Sequence, residues 1–162
     1  MNTATATHTN ADMTGPTGLI RSGLCLLSRT LDRLQPLGAL AARAYVAHAF
    51  FLAGLTKIRD WETTMLLFTH EYQVPLLSPS VAAVMGTAGE LVLPVLLVLG
   101  LGGRIGALGL SVVNIVAVLS LEDIAPAALQ LHVTWGVLLA ALALYGSGAW
   151  SVDRILRAWR QR

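Results

Sequence analysis

The sequence predicts an all-α membrane protein: a four-transmembrane-helix bundle with an N-terminal amphipathic interfacial helix and both termini cytoplasmic. Three observations lead to this fold. Of the 162 residues, 55% are hydrophobic and 12% charged, and the mean hydropathy is +0.66, whereas a soluble domain carries about 25% charged residues. Four apolar runs approach the roughly 20 residues that cross a hydrocarbon core of about 30 Å. Finally, Lys and Arg fall almost wholly on one side of the path those four runs trace.

The elements follow in order. Met1 to Thr17 is rich in Thr, Ala and Asn without apolar periodicity, which predicts a disordered tail over 1–17. Ile20, Leu24, Leu27, Leu31 and Leu34 recur at spacings of three and four, with Arg21, Arg29, Asp32 and Arg33 on the other side. This predicts an amphipathic helix within 18–37 that lies in the interface and ends near Pro36. Charges interrupt its apolar runs too often for a cleaved signal peptide. A first span is predicted over 38–58, then an external connection in which Asp60 caps a short helix, WETTMLLFTH, ended by Pro75. Ser78-Pro79 reads as N-cap and first residue of a second span, 79–101. Gly102-Gly103-Arg104 turns into a third, 104–121, whose outer end carries Glu122 and Asp123. Pro126 opens the fourth, 126–146, which stops at Gly146-Ser147-Gly148. Ser151 then caps a basic surface helix within 149–162.

Orientation comes from the basic residues. Arg21, Arg29, Arg33, Arg104, Arg154, Arg157, Arg160 and Arg162 share one side, and only Lys57 and Arg59 take the other. The protein therefore has the lipid bilayer as its solvent, N-in and C-in. A net charge of +2 and a pI near 9.1 do not point to nucleic acid, because the basic residues cluster beside apolar runs without aromatic interleaving. A single cysteine, Cys25, excludes an internal disulfide and a Cys-x-x-Cys redox pair.

Glu90 is the residue to explain. It sits in the middle of the second span, where a charge costs at least about 2.5 kcal/mol and so needs a partner. Ala82, Gly86 and Glu90 form one small-residue stripe on which helices can approach closely. Counting along each span places Glu90, His48 and Asn114 about 15 Å deep, Arg43 about 7–8 Å from the cytoplasmic edge and His132 about 9 Å from the outer edge, with Lys57 at that edge. Ala39, Arg43, Ala47, Phe50 and Gly54 share one side of the first span, with Lys57 a turn further on. Ala128, His132, Gly136 and Ala140 do the same on the last. These stripes predict Arg43–Glu90 as the central pair, His132 above it and Asn114 as a hydrogen-bond partner. His48 lies about 140° from Arg43 around the helix, beside Tyr45 and Leu52.

Each has a plainer reading. An Arg–Glu pair can be a structural tie, Asn114 interhelical glue, and His48 a hydrogen-bonded core or interface residue. His132 could exchange protons near neutral pH. Trp61, Trp150 and Trp159 read as interfacial anchors. Bis-histidine haem is disfavoured, since His48 and His132 differ in depth by about 6 Å and His48 faces away. No metal site is read: Met13, Met65 and Met85 are scattered, and zinc spacings, phosphate loops and nucleophile–base triads are absent.

Over roughly Leu40 to Leu156 the chain resembles the DoxX family of small bacterial four-helix membrane proteins. The resemblance is carried by Arg43 early in span one, AGLTKIRDW (53–61), LFTHEYQVPLLSP (67–79), GELVLPVLLVLGLGGR (89–104), HVTWG (132–136) and GSGAWSVD (146–153). It implies a bacterial inner-membrane location and makes Arg43, Lys57, Glu90, Arg104 and His132 the family-like polar positions, outside which His48 falls. It also links the chain to thiosulfate:quinone oxidoreductase subunits and to membrane complexes for thiol, oxidative-stress and metal-stress defence. With no thiol pair in the chain, redox chemistry would need a bound quinone or a protein partner.

Three functions are therefore in view. One is a subunit of a redox or stress-defence system in which Arg43, Glu90 and His132, with Asn114 and Lys57, bind a quinone-like or small polar ligand and relay protons. A second is a transporter that works as a homo-oligomer, since four spans without broken helices or an inverted repeat argue against transport by one chain. The third is a non-catalytic scaffold that recruits a partner enzyme.

Overall fold

The structure is a computed structural model that describes residues 16–102, 104–146 and 150–161. Its regular elements are helices: α1 Pro16–Arg59, α2 Trp61–His70, α3 Pro79–Leu99, α4 Ile105–Leu119, α5 Pro126–Tyr145 and α6 Val152–Arg160. The chain divides into two units, Met1–Gln35 and Pro36–Arg162. All packing described below lies within the second. Three helices are long and apolar enough to cross a membrane, namely α1 over Ile20–Arg59, α3 and α5; α4 is a shorter apolar helix of 15 residues. Numerous large apolar side chains point outward from them, such as Val84, Val112, Ile115 and Val137, as helices bathed in hydrocarbon require.

Two expectations about the N-terminal part change. The tail predicted over 1–17 lies outside the described residues except for Pro16 and Thr17, which open α1. Moreover, α1 does not end near Pro36 but runs through it for 44 residues in all. The proline cannot donate to the carbonyl four residues earlier, which weakens a helix without obliging it to stop. No left-handed glycine cap follows to end it, since Gly38 is itself helical. The five apolar residues Ile20, Leu24, Leu27, Leu31 and Leu34 are all exposed within their unit, in keeping with the amphipathic pattern.

The remaining boundaries follow the caps. Asp60 caps α2 by accepting from the Thr63 amide at 3.0 Å. This contact, through side chain and backbone, holds the Asp60 carboxyl below the usual carboxylate range. α2 ends at His70, five residues before Pro75. Pro79 and Pro126 each open a helix, where the absent N–H costs nothing. Gly146 follows the last residue of α5; Ser147 and Gly148 lie outside the described residues.

The core joins α1, α3, α4 and α5 through Val46, Ala47, Phe50, Leu97, Ala107, Leu110, Leu139 and Leu142. A second cluster, Phe68 with Ala82 and Ala83, packs α2 on α3. α4 meets the backbone of α3 at Gly106, where a Cβ would lie 2.9 Å from the Leu97 backbone nitrogen. Backbone cannot swing aside as a side chain can. Gly106→Ala is thus expected to force the pair apart and lower stability by about 1–3 kcal/mol, read as a lower thermal midpoint in detergent. An unchanged midpoint would show the contact to be loose.

Candidate functional site

A cavity of about 430 Å³ opens among α1, α2, α3, α4 and α5. Its wall is largely apolar and aromatic, with Phe50, Phe68, Trp135 and Val113 among the lining, and it includes three ionisable groups from different helices: Lys57, Glu90 and His132. Phe50 meets Trp135 edge-to-face at 5.4 Å, and Trp135 meets His132 in the same manner at 5.0 Å. Apolar walls with a few converging polar groups are the usual make-up of a small-molecule site.

Glu90 meets Lys57. The Lys57 Nζ donates to both carboxylate oxygens, at 2.7 and 2.6 Å, and the side chains are only 20% and 10% exposed. This corrects the expected Arg43–Glu90 pair. The reason is local packing: α1 touches α3 at Gly54, where a Cβ would lie 3.1 Å from the Glu90 Cβ. Lys57 is one turn beyond Gly54 on the same side, and its four-carbon stem covers the depth between the helix end and the carboxylate. Thr64 ties α2 to this corner by donating its hydroxyl to the Lys57 and Asp60 carbonyls.

His132 meets Asn114. Asn114 Nδ2 donates to the His132 carbonyl at 3.0 Å, and the two side chains meet at 2.8 Å through Asn114 Oδ1 and His132 Nδ1. Gly136, one turn along the small-residue stripe, leaves the room: a Cβ there would be 3.3 Å from Asn114 Nδ2. The small-residue stripe puts His132 on a packing face, and the residue that face meets is Asn114.

The connection after α2 closes one end of the cavity with Tyr72, Val74 and Leu77. Gln73 fastens it to the end of α4, its amide donating to the Ser120 carbonyl at 2.7 Å and its side chain to Glu122 at 2.5 Å. Burial pushes the Tyr72 phenol up, and the carboxylates of Glu71 and Glu90 add to the shift; the hydroxyl stays neutral at ordinary pH.

The other predicted residues are elsewhere. Arg43 is 1% exposed and does not line the cavity. Its Nη2 donates to the Trp150 carbonyl at 2.8 Å and its Nε to the Ala39 carbonyl at 3.3 Å, while Nη1 is buried and has no hydrogen-bond partner among the described residues. Gly100, left-handed at φ 65°, makes room for it, since a Cβ would fall 2.8 Å from Nη1. Arg104 Nη2 donates to the Leu144 carbonyl at 2.9 Å and ties α4 to α5. His48 is exposed and lines a separate, shallow apolar groove between α1 and α3 with Phe51, Pro94 and Val98. The expected Arg43–Glu90–His132 column is thus replaced by Lys57, Glu90 and His132.

Sequence reasoning did not pick out Trp135, Phe68 or Tyr72. Trp135 carried a signal, being three residues from His132 and therefore on its face of the helix. Tyr72 did not, because it lies in irregular backbone.

A family model described as DoxX matches residues 38–123. The matched stretch holds Arg43, Lys57, Glu90 and Asn114 but stops before α5 and His132. No curated protein and no solved structure matches the chain.

Proposed function

Taking as premise that the chain belongs to the DoxX family, we propose that it is a multi-pass subunit of the bacterial inner membrane. In this reading it has four spans and cytoplasmic termini, and it serves a redox or stress-defence system by binding a quinone-like or small polar ligand in the cavity. The observation that carries the reading is the convergence of Lys57, Glu90 and His132 on one largely apolar cavity. Ionisable groups inside a membrane mark ligand or proton pathways far more often than surface groups do. The four-span path and its orientation rest on the basic-residue asymmetry, with α4 as the short crossing.

The residues suit a quinone ring. Phe50, Phe68 and Trp135 offer flat apolar surface, and the ion pair and imidazole offer polar contacts for ring oxygens. A quinone, when bound, supplies reversible two-electron, two-proton chemistry, and the electrons would come from a partner protein. The chain's own part is to bind the ring, keep bulk water away and hold protons at His132 and Glu90.

Titrating a short-chain ubiquinone into the full-length protein in nanodiscs is expected to quench tryptophan fluorescence saturably. Glu90→Gln should weaken that binding about ten-fold, as loss of a charged hydrogen-bonding group does. Absence of saturable binding by the wild type would remove the reading. The scaffold function would then stand, supported by Leu156 and Trp159, which α6 leaves exposed.

A further inference from the structure

Asn114 and His132 fix the positions of each other's hydrogens. Asn114 Nδ2 donates to the His132 carbonyl, an atom that can only accept, so the amide presents its oxygen to the ring. That oxygen also only accepts. The hydrogen of the neutral imidazole is therefore on Nδ1, and its lone pair is on Nε2. The two ring nitrogens point to opposite edges, which turns the lone pair away from Asn114 on a side chain that lines the cavity.

Of the other polar groups that line the cavity, the Tyr72 hydroxyl makes no hydrogen bond to a described residue, and Lys57, Glu90 and Ser120 are engaged. Both Glu90 oxygens accept from Lys57, and the Ser120 hydroxyl donates to the Ala117 carbonyl. Nε2 makes no hydrogen bond to a described residue. Trp135 stands edge-to-face against the same ring and keeps that side of it apolar. The wall thus holds an acceptor without a donor among the described residues. A hydroxyl, which gives one hydrogen, answers it.

We infer that Asn114 holds His132 as a hydrogen-bond acceptor toward the cavity, so that the site selects flat apolar ligands bearing a ring hydroxyl over the same ring without one. Asn114 is a positioning residue and His132 touches the ligand. The inference rests on the cavity being a ligand site, but not on the ligand being a quinone.

The test uses the full-length protein in nanodiscs and two probes of similar shape, 1-naphthol and 1-fluoronaphthalene, with partition into empty nanodiscs subtracted. The naphthol is expected to bind about five-fold tighter, the worth of one hydrogen bond. His132→Phe and, separately, Asn114→Leu should bring the ratio to about one, whereas a merely structural role would weaken both probes alike and leave the ratio near about five. In parallel, 15N spectra of histidine-labelled protein should show a bare Nε2 at His132, identified by its loss in His132→Phe. A protonated Nε2 with a bare Nδ1 overturns the inference even if Asn114→Leu fails to fold. Equal binding of both probes by the wild type overturns it while leaving the cavity a ligand site. Binding of neither removes the site and the inference together.

Discussion

Lys57→Met is expected to destabilise the protein by about 3 kcal/mol, because it strands the Glu90 carboxylate in a place that water barely reaches. The carboxylate is 10% exposed and takes both its close contacts from Nζ at 2.7 and 2.6 Å. Desolvating two charges costs several kcal/mol each and attraction between them offsets that, so removing one partner leaves the cost without the compensation. The double variant Lys57→Met/Glu90→Leu should therefore recover most of the stability, since no isolated charge remains and volume is roughly kept. Thermal midpoints in mild detergent give the comparison. A single variant as stable as the wild type would mean that Glu90 is hydrated, and the cavity would then be a water-filled inlet.

Arg43→Ala should cost about 2–4 kcal/mol, combining the void left by a large side chain with the loss of its hydrogen bond to Trp150. Arg43 is 1% exposed, and its bond to the Trp150 carbonyl joins residues 107 apart in sequence. The stability loss should be accompanied by faster protease cutting after Trp150, because the segment leading into α6 loses its tie to α1. Arg43→Met restores bulk without the donor, and also removes Nη1, which has no partner among the described residues. It should be more stable than the alanine variant yet equally easy to cut. Unchanged cutting of Arg43→Ala would show that the C-terminal segment is held by other contacts.

The helices were legible because their signals are local. Proline at the first position of α3 and α5, Asp60 before α2 and the apolar run lengths are all read within a few residues. Pro36 misled for the same reason: it is a local signal for an end, and the helix continues. Small-residue spacing orients the helix face that carries His132, but it does not single out Asn114 as what that face meets. The Glu90 partner was not legible either. The small-residue stripe of the first span favoured Arg43, whereas the contact is made by the end of a long, flexible Lys57 side chain reaching inward. Arg43 instead finds a backbone carbonyl in a turn, and no periodicity announces a carbonyl.

The brevity of α4 has a consequence for the lipid around it. Fifteen residues rise about 22 Å, against a hydrocarbon thickness of about 30 Å. On that flank the polar rim begins early, at buried Ser120, whose carbonyl takes the Gln73 amide. If α4 crosses the bilayer, acyl chains beside it would have to shorten to match its length, since the irregular backbone beyond its ends cannot face them. In a four-span arrangement the protein would pinch the leaflet there, next to the aromatic wall, and a lipid-dissolved molecule would have its shortest route from the tails to the ion pair on that side.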